Sequence, residues 1–321
     1  MSGYVGHEKP WRQFSTACDS GKTHHGWILA GQRGLGKSAF ALRAAAKLVD
    51  PENVHGNLIA RGSHPDILSL KRLPKDAPKG DDDVGDSTEF KRSITVNQIR
   101  GLQQSLTTRP GLSNRRAIII DAADDLERGG ANALLKSLEE PPVGTFFFLI
   151  SHASERLLPT IRSRCQMLRF EPLSGADMAD VLRDAAPEAS SKELEALIHL
   201  GNGSPGQALD FLGLDLKEIE DAMTSILRSG DRDNALRSGL AEKLALKAAQ
   251  SRYEAFLRRA PALIAEHTRT LDIAQLKTGI AAWEAASGLA GRAIALSLDK
   301  QSVVFQMGSL LASIQAHKGR T

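Results

Sequence analysis

The stretch Gly31-Gln32-Arg33-Gly34-Leu35-Gly36-Lys37-Ser38, entered from Trp27-Ile28-Leu29-Ala30 and left through an alanine-rich run, decides the fold. It fits G-x-x-x-x-G-K-[ST], the phosphate-binding loop between a strand and a helix. Gly31, Gly34 and Gly36 let the backbone turn its N–H groups toward phosphate oxygens, and the following helix N-terminus adds favourable partial charge. Lys37 reaches the β and γ phosphates in such a loop, and the Ser38 hydroxyl holds Mg²⁺. With glycine at about 7% of residues, a chance match in one chain of this length is on the order of one in a hundred. The bland alternative, a glycine-rich turn, does not account for flanks that fit as well.

Working outward, the chain of 321 residues is 41% hydrophobic and 25% charged, enough for two or three packed units. Its net charge of +3 means that any nucleic-acid contact needs a local patch. Two cysteines, Cys18 and Cys165, cannot complete a four-thiolate zinc site or a disulfide framework. The start mixes Glu8, Lys9 and Arg12 with no apolar core, so no secretory signal is expected, and no apolar run reaches membrane-spanning length. The expectation is a soluble, cytoplasmic protein with no membrane contact.

Strand-like runs at Trp27–Ala30, Asp66–Leu70, Ala117–Asp121, Phe146–Ile150 and Met167–Phe170 alternate with helical ones. This predicts an α/β domain with a parallel sheet of about five strands between helices. A short amphipathic helix, Gly6–Cys18, precedes it, with Trp11 and Phe14 on one face. Thr95-Val96-Asn97-Gln98 has the form of a capping box, and Pro141-Pro142 stop the helix that begins at Ala131. Residues 74–92, with an Asp81-Asp82-Asp83 run and several lysines, have the composition of an exposed, mobile loop. Beyond Pro172 the texture becomes helical, opened by capping serines at Ser174 and Ser190, with Pro261 as a breaker. The predicted domains are 1–171, a small helical domain at 172–213, and a C-terminal helical domain at 214–321.

Asp121 stands at the C-terminal end of a buried strand, the place for an acid that holds Mg²⁺ directly or through water. The next residue is Ala122, which cannot orient or deprotonate water. Asp124 and Asp125, the alternatives for that task, lie a turn further on and are expected instead to cap the next helix.

Ala131-Asn132-Ala133-Leu134-Leu135-Lys136-Ser137-Leu138-Glu139-Glu140-Pro141-Pro142 resembles a segment of bacterial clamp-loader subunits, as does Leu158-Pro159-Thr160-Ile161-Arg162-Ser163-Arg164-Cys165-Gln166. Val96–Arg100 and Ser63-His64-Pro65-Asp66 match too, and the likeness covers about residues 5–210. The Asp-Ala-Ala-Asp sequence at 121–124 looks most like the accessory branch of the family, not its tau/gamma motors. The resemblance implies an AAA+ fold with a helical lid and an all-α collar. It also implies a place in a five-subunit ring with tau/gamma and delta partners that loads the sliding clamp on primed DNA. The ring belongs to a polymerase holoenzyme, yet this chain would carry no polymerase chemistry.

Spacing alone leaves Arg162 and Arg164 open as an interface arginine. The resemblance selects Arg164, the middle residue of Ser-Arg-Cys, as a finger that acts in trans on a neighbour's ATP. Arg162 and Arg169 are then expected to pair locally with carboxylates. Two departures from the family stand out. No cysteines occur at Asn53–Arg61, so no zinc is expected. The lid motif runs Gly203-Ser204-Pro205-Gly206, with glycine where active members place an arginine that senses the γ-phosphate. The expected cofactor is therefore ATP or ADP with Mg²⁺, held but cleaved weakly or not at all. The alternatives are a self-sufficient ATPase motor and a nucleotide-stiffened scaffold. Arg252, Arg258 and Arg259, and Arg109, Arg115 and Arg116, are expected on solvated helix faces and turns, with DNA held by the ring.

Overall fold

The computed structural model describes residues 5–75, 90–214 and 216–315. The expected loop at 74–92 falls largely outside them; its described ends, Pro74 and Phe90, form an isolated antiparallel bridge. The chain divides into two compact units, Met1–Gln207 and Ala208–Thr321.

The first unit runs α1 (Glu8–Asp19), β1 (Gly26–Ala30), α2 (Lys37–Val49), α3 (Gly56–Ala60), β2 (Ile67–Lys71), α4 (Val96–Ser105), β3 (Arg116–Asp121) and α5 (Arg128–Glu139). It continues with β4 (Thr145–Ser151), α6 (Pro159–Arg162), β5 (Gln166–Arg169), α7 (Gly175–Ala185), α8 (Ser191–Gly201) and α9 (Pro205–Leu209), within which the division falls. All five strands are parallel, in the order β2-β3-β4-β1-β5. β4 is thus inserted between the strand that enters the phosphate loop and the strand that ends in Asp121.

β1, β3 and β4 are nearly continuous apolar runs because both faces of the sheet are covered. On one face Ile28, Ile118, Ile120, Phe147 and Leu149 pack with Ile99, Leu102, Leu134 and Leu138 of α4 and α5. On the other, Trp27 and Phe148 meet Phe14 of α1 edge-on, at centroid distances of 5.4 and 5.7 Å. Each such aromatic contact adds about 0.5–1.5 kcal/mol beyond its area burial. The capping box at Thr95 and Gln98 is present, and Ser174 and Ser190 cap α7 and α8.

One residue expected at the surface and one segment quoted for its resemblance turn out to be structural. Arg116 is buried and donates to the carbonyls of Ser105, Thr108 and Arg109 beyond α4, closing that helix end. Asp66 is fully buried and accepts from the backbone N–H groups of Gly111, Leu112 and Ser113 at 2.6, 2.8 and 2.9 Å. The Ser-His-Pro-Asp segment therefore pins the loop that feeds β3.

The second unit holds α10 (Lys217–Ser229), α11 (Ala235–Ala245), α12 (Gln250–Thr268), α13 (Ile273–Ala295) and α14 (Lys300–Ser313). Pro261 does not break α12, which runs through it. The lost N–H bond costs roughly 3 kcal/mol, set against burial of Tyr253, Phe256, Leu257, Ala260 and Ile264 on the same helix. Arg259 is not solvated: at 6% exposure it is forked by Glu220 and Glu266. Arg252 pairs with Glu218 and Arg258 with Asp210. No helix of the described residues is long and apolar enough to cross a membrane.

Candidate functional site: the phosphate loop and the far edge of its sheet

β1 delivers the chain to Gly31, and α2 begins at Lys37 with Gly36 at its N-cap in the left-handed region, φ +78°. Any other residue there is strained, so the motif's last glycine sets the start of the helix. Gly34 is required by close approach: a Cβ on it would lie 2.4 Å from Ser204 Oγ. A cavity of about 730 Å³ opens beside the loop, lined among others by Gly34, Gly36, Lys37, Ser38, His152 and Gly206. That volume suits a nucleotide-sized ligand.

Lys37 is 3% exposed and donates from Nζ to the carbonyl of Gly31 at 2.6 Å and to that of Gln32. Burial lowers its pKa to about 8, with Asp121 and Asp124 pulling the other way. A buried cation tied to its own loop is poised to exchange carbonyls for phosphate oxygens. Ser38 Oγ donates to Asp121 Oδ2 at 2.7 Å, so the two expected Mg²⁺ oxygens converge although 83 residues apart. Hard oxygen donors of this kind would suit Mg²⁺, which would neutralise phosphate charge there. Among the described residues no three His, Cys, Asp or Glu gather as a separate metal site.

Asp124 does not cap the next helix. Its carboxylate accepts from Ser151 Oγ, His152 N and Ala153 N at 2.8, 2.6 and 3.2 Å, tying it to the end of β4. Asp125 pairs with Arg72, and Glu127 accepts from Ser93 Oγ and Val96 N. Ala122 is buried beside Asp121. The carboxylates that follow β3 are all engaged in holding the fold.

Ser204, Gly206 and Gln207 close on the loop. Ser204 Oγ and Gln207 Nε2 both donate to the Arg33 carbonyl, at 2.8 and 3.0 Å, and Gly206 N donates to Gly34 O at 2.9 Å. A Cβ on Gly206 would lie 2.7 Å from Gly34 Cα. Glycine at 206 is thus the residue this clasp requires, and an arginine there would displace it.

His152 escaped the sequence reading. It follows β4, at the C-terminal ends of parallel strands where ligands bind, and that position was the available signal. It lines the cavity, and burial followed by repulsion from Lys37 lowers its pKa, so the ring is neutral near pH 7.

Arg164 does not line this cavity. It precedes β5, at the N-terminal end of the parallel strands, where its carbonyl abuts Gly26 at the start of β1. The loop leaves the other end of β1, five residues on, a strand length of roughly 16 Å. Arg164 therefore cannot reach the phosphates of its own loop. It pairs locally with Glu139 at 2.5 Å, whereas among the described residues Arg162 and Arg169 make no ion pair, the reverse of the expectation. Cys165 next to it is packed on Gly26, and burial pushes its thiol up to about 12.

The strand order β2-β3-β4-β1-β5, with a phosphate-loop sequence after β1 and Ser38 beside Asp121, defines a protein of the P-loop AAA+ fold. A family model described as "DNA polymerase III, delta subunit" matches residues 6–174, just over half of the chain, and the chain belongs to that family. A DNA polymerase III subunit delta' of Pseudomonas aeruginosa is 34% identical over 65% of this chain and 62% of its own length. The subunit delta' of Escherichia coli is 30% identical over 59% of this chain and 55% of its own. The chain thus matches about three-fifths or less of these relatives' length. A gamma-subunit-related protein of Thermotoga maritima superposes with a TM-score of 0.44 at 19% identity, covering 94% of this chain and 98% of that one.

Proposed function

We propose that this chain is an accessory subunit of a bacterial clamp loader, working in the cytoplasm with tau/gamma and delta subunits to load the sliding clamp on primed DNA. Residues 1–171 form the AAA+ domain, 172–213 its lid, and 214–321 the collar. Gly31–Ser38 and Asp121 hold ATP or ADP with Mg²⁺, which neutralises phosphate charge when bound. Lys37 offers its ammonium to the phosphates, and Ser38 and Asp121 offer oxygens to the metal.

The observation that carries this reading is the opposition of two sites on one sheet. The loop sits at the C-terminal ends of the strands, with Asp124 already tied to Ser151 and the backbone of residues 152 and 153. Asp124, Asp125 and Glu127, which follow β3, are each engaged elsewhere, which supports weak or absent hydrolysis in cis. Arg164 sits a strand length away, out of reach of its own loop, which supports a role toward a neighbouring subunit's nucleotide. A guanidinium given in trans offsets charge developing on the γ-phosphate.

Hydrolysis by the isolated chain, set beside hydrolysis by the reconstituted complex, tests the proposal. Turnover confined to the complex supports it. Substantial turnover by the isolated chain, abolished by Lys37→Ala, would establish a self-sufficient motor instead.

A further inference from the structure

The Ser-Leu-Glu-Glu-Pro-Pro segment has no part in the nucleotide cavity, and yet its Glu139 faces the interface arginine. Arg164 Nη2 lies 2.5 Å from Glu139 Oε1, and Nη1 donates to Thr160 O at 2.9 Å and to Ser163 Oγ at 3.4 Å. Both ends of this brace are anchored. Glu139 is the last residue of α5, one position after the buried Leu138, whose carbonyl accepts from His25 Nε2 at 2.9 Å. Arg164 is fixed by its N–H on Ile161 O at 3.1 Å and by the tight contact of its carbonyl with Gly26. The C-terminal end of α5 also carries partial negative charge that favours a cation beside it.

We propose that Glu139 is a positioning residue for Arg164. It holds the guanidinium plane so that the remaining N–H groups face the neighbouring subunit's nucleotide. This rests on the reading of Arg164 as a finger in trans. A guanidinium has five N–H donors in a rigid fork, and the brace occupies only the Nη edge, leaving Nε–H and further Nη hydrogens for phosphate oxygens. An arginine on a flexible stem otherwise loses side-chain entropy when the transition state forms. A brace that takes that loss beforehand raises the rate of the chemical step without adding ground-state affinity. Glu139 and Arg164 are respectively 48% and 33% exposed, so the effect has the size of a solvent-screened ion pair.

The test uses the complex reconstituted with its partner subunits and measures DNA-stimulated ATP hydrolysis as kcat and KM separately. Glu139→Ala should lower kcat about two- to five-fold, with KM for ATP unchanged. Glu139→Gln, which keeps a hydrogen-bond acceptor, should recover part of the loss and serves if the alanine variant assembles poorly. Arg164→Ala should lower turnover at the adjoining site by roughly 10³-fold, and adding Glu139→Ala to it should cost nothing more. If Arg164→Ala is silent, the finger reading itself fails. If Arg164→Ala is damaging while both Glu139 variants keep wild-type kcat or exceed it, the positioning role alone is overturned. A Glu139 effect that persists undiminished without Arg164 overturns it as well.

Discussion

Nucleotide affinity should fall as pH rises through 8, because the Lys37 ammonium proposed to meet the phosphates is buried. Lys37 is 3% exposed, and burial takes its pKa from the ordinary 10.5 to about 8. At pH 7 about nine-tenths of the nucleotide-free protein carries that charge, and at pH 9 about one-tenth. Phosphate oxygens in contact favour the charged form, so binding above pH 8 must first take up a proton. Apparent affinity for Mg-ADP should therefore weaken about tenfold between pH 7 and 9, approaching tenfold per unit beyond. The phosphates contribute little to this slope, since their last ionisation lies near pH 6. Fluorescence titration with labelled ADP at fixed ionic strength reads the effect, and Lys37→Arg, charged throughout, should flatten it. The stability of the nucleotide-free chain moves oppositely. Between pH 8 and 10.5 the unfolded chain binds more protons at this position, so its contribution to stability rises with pH across that window. A wild-type affinity that is flat from pH 7 to 9, or an equal slope in the arginine variant, would refute the reasoning.

Other expectations follow from buried contacts in the same unit. Asp66→Ala leaves three backbone N–H groups at Gly111, Leu112 and Ser113 without their acceptor and should cost about 2–4 kcal/mol. Urea denaturation of the isolated chain checks it, and a loss below about 0.5 kcal/mol would contradict the pinning role. Gly206→Arg supplies the cation that Gly203-Ser204-Pro205-Gly206 lacks but forces its Cβ against Gly34, so it should destabilise the first unit by about 1–3 kcal/mol without a gain in hydrolysis. Wild-type stability with gained turnover would show that the clasp is not what excludes the arginine.

What could be read from residues alone was the part written in local signals. The loop, the capping box at Thr95 and Gln98, and the five apolar runs each carry their meaning within a few residues, so the sheet and its phosphate end were legible. Asp121 was singled out by its position at the end of a buried strand, and it lies 2.7 Å from Ser38 Oγ. Side-chain destinations across the fold were not. Asp124 has the composition of a helix cap, but the end of β4, brought alongside β3, offers three donors to one carboxylate. Arg162 and Arg164 are equivalent by spacing, and only the packing of α5 against α6 puts Glu139 beside the second. Pro261 misled because propensity weighs the missing hydrogen bond and not the buried face that offsets it.

The central claim is that the catalytic group of this chain works on a neighbour's nucleotide and not on its own. Clamp- and DNA-stimulated ATP hydrolysis by the full complex containing Arg164→Ala tests it most directly, with assembly verified by size-exclusion chromatography. The account predicts intact assembly, unchanged binding of nucleotide to this chain's own loop, and hydrolysis lowered by roughly 10³-fold at the adjoining site. Unchanged hydrolysis in a fully assembled complex would contradict it.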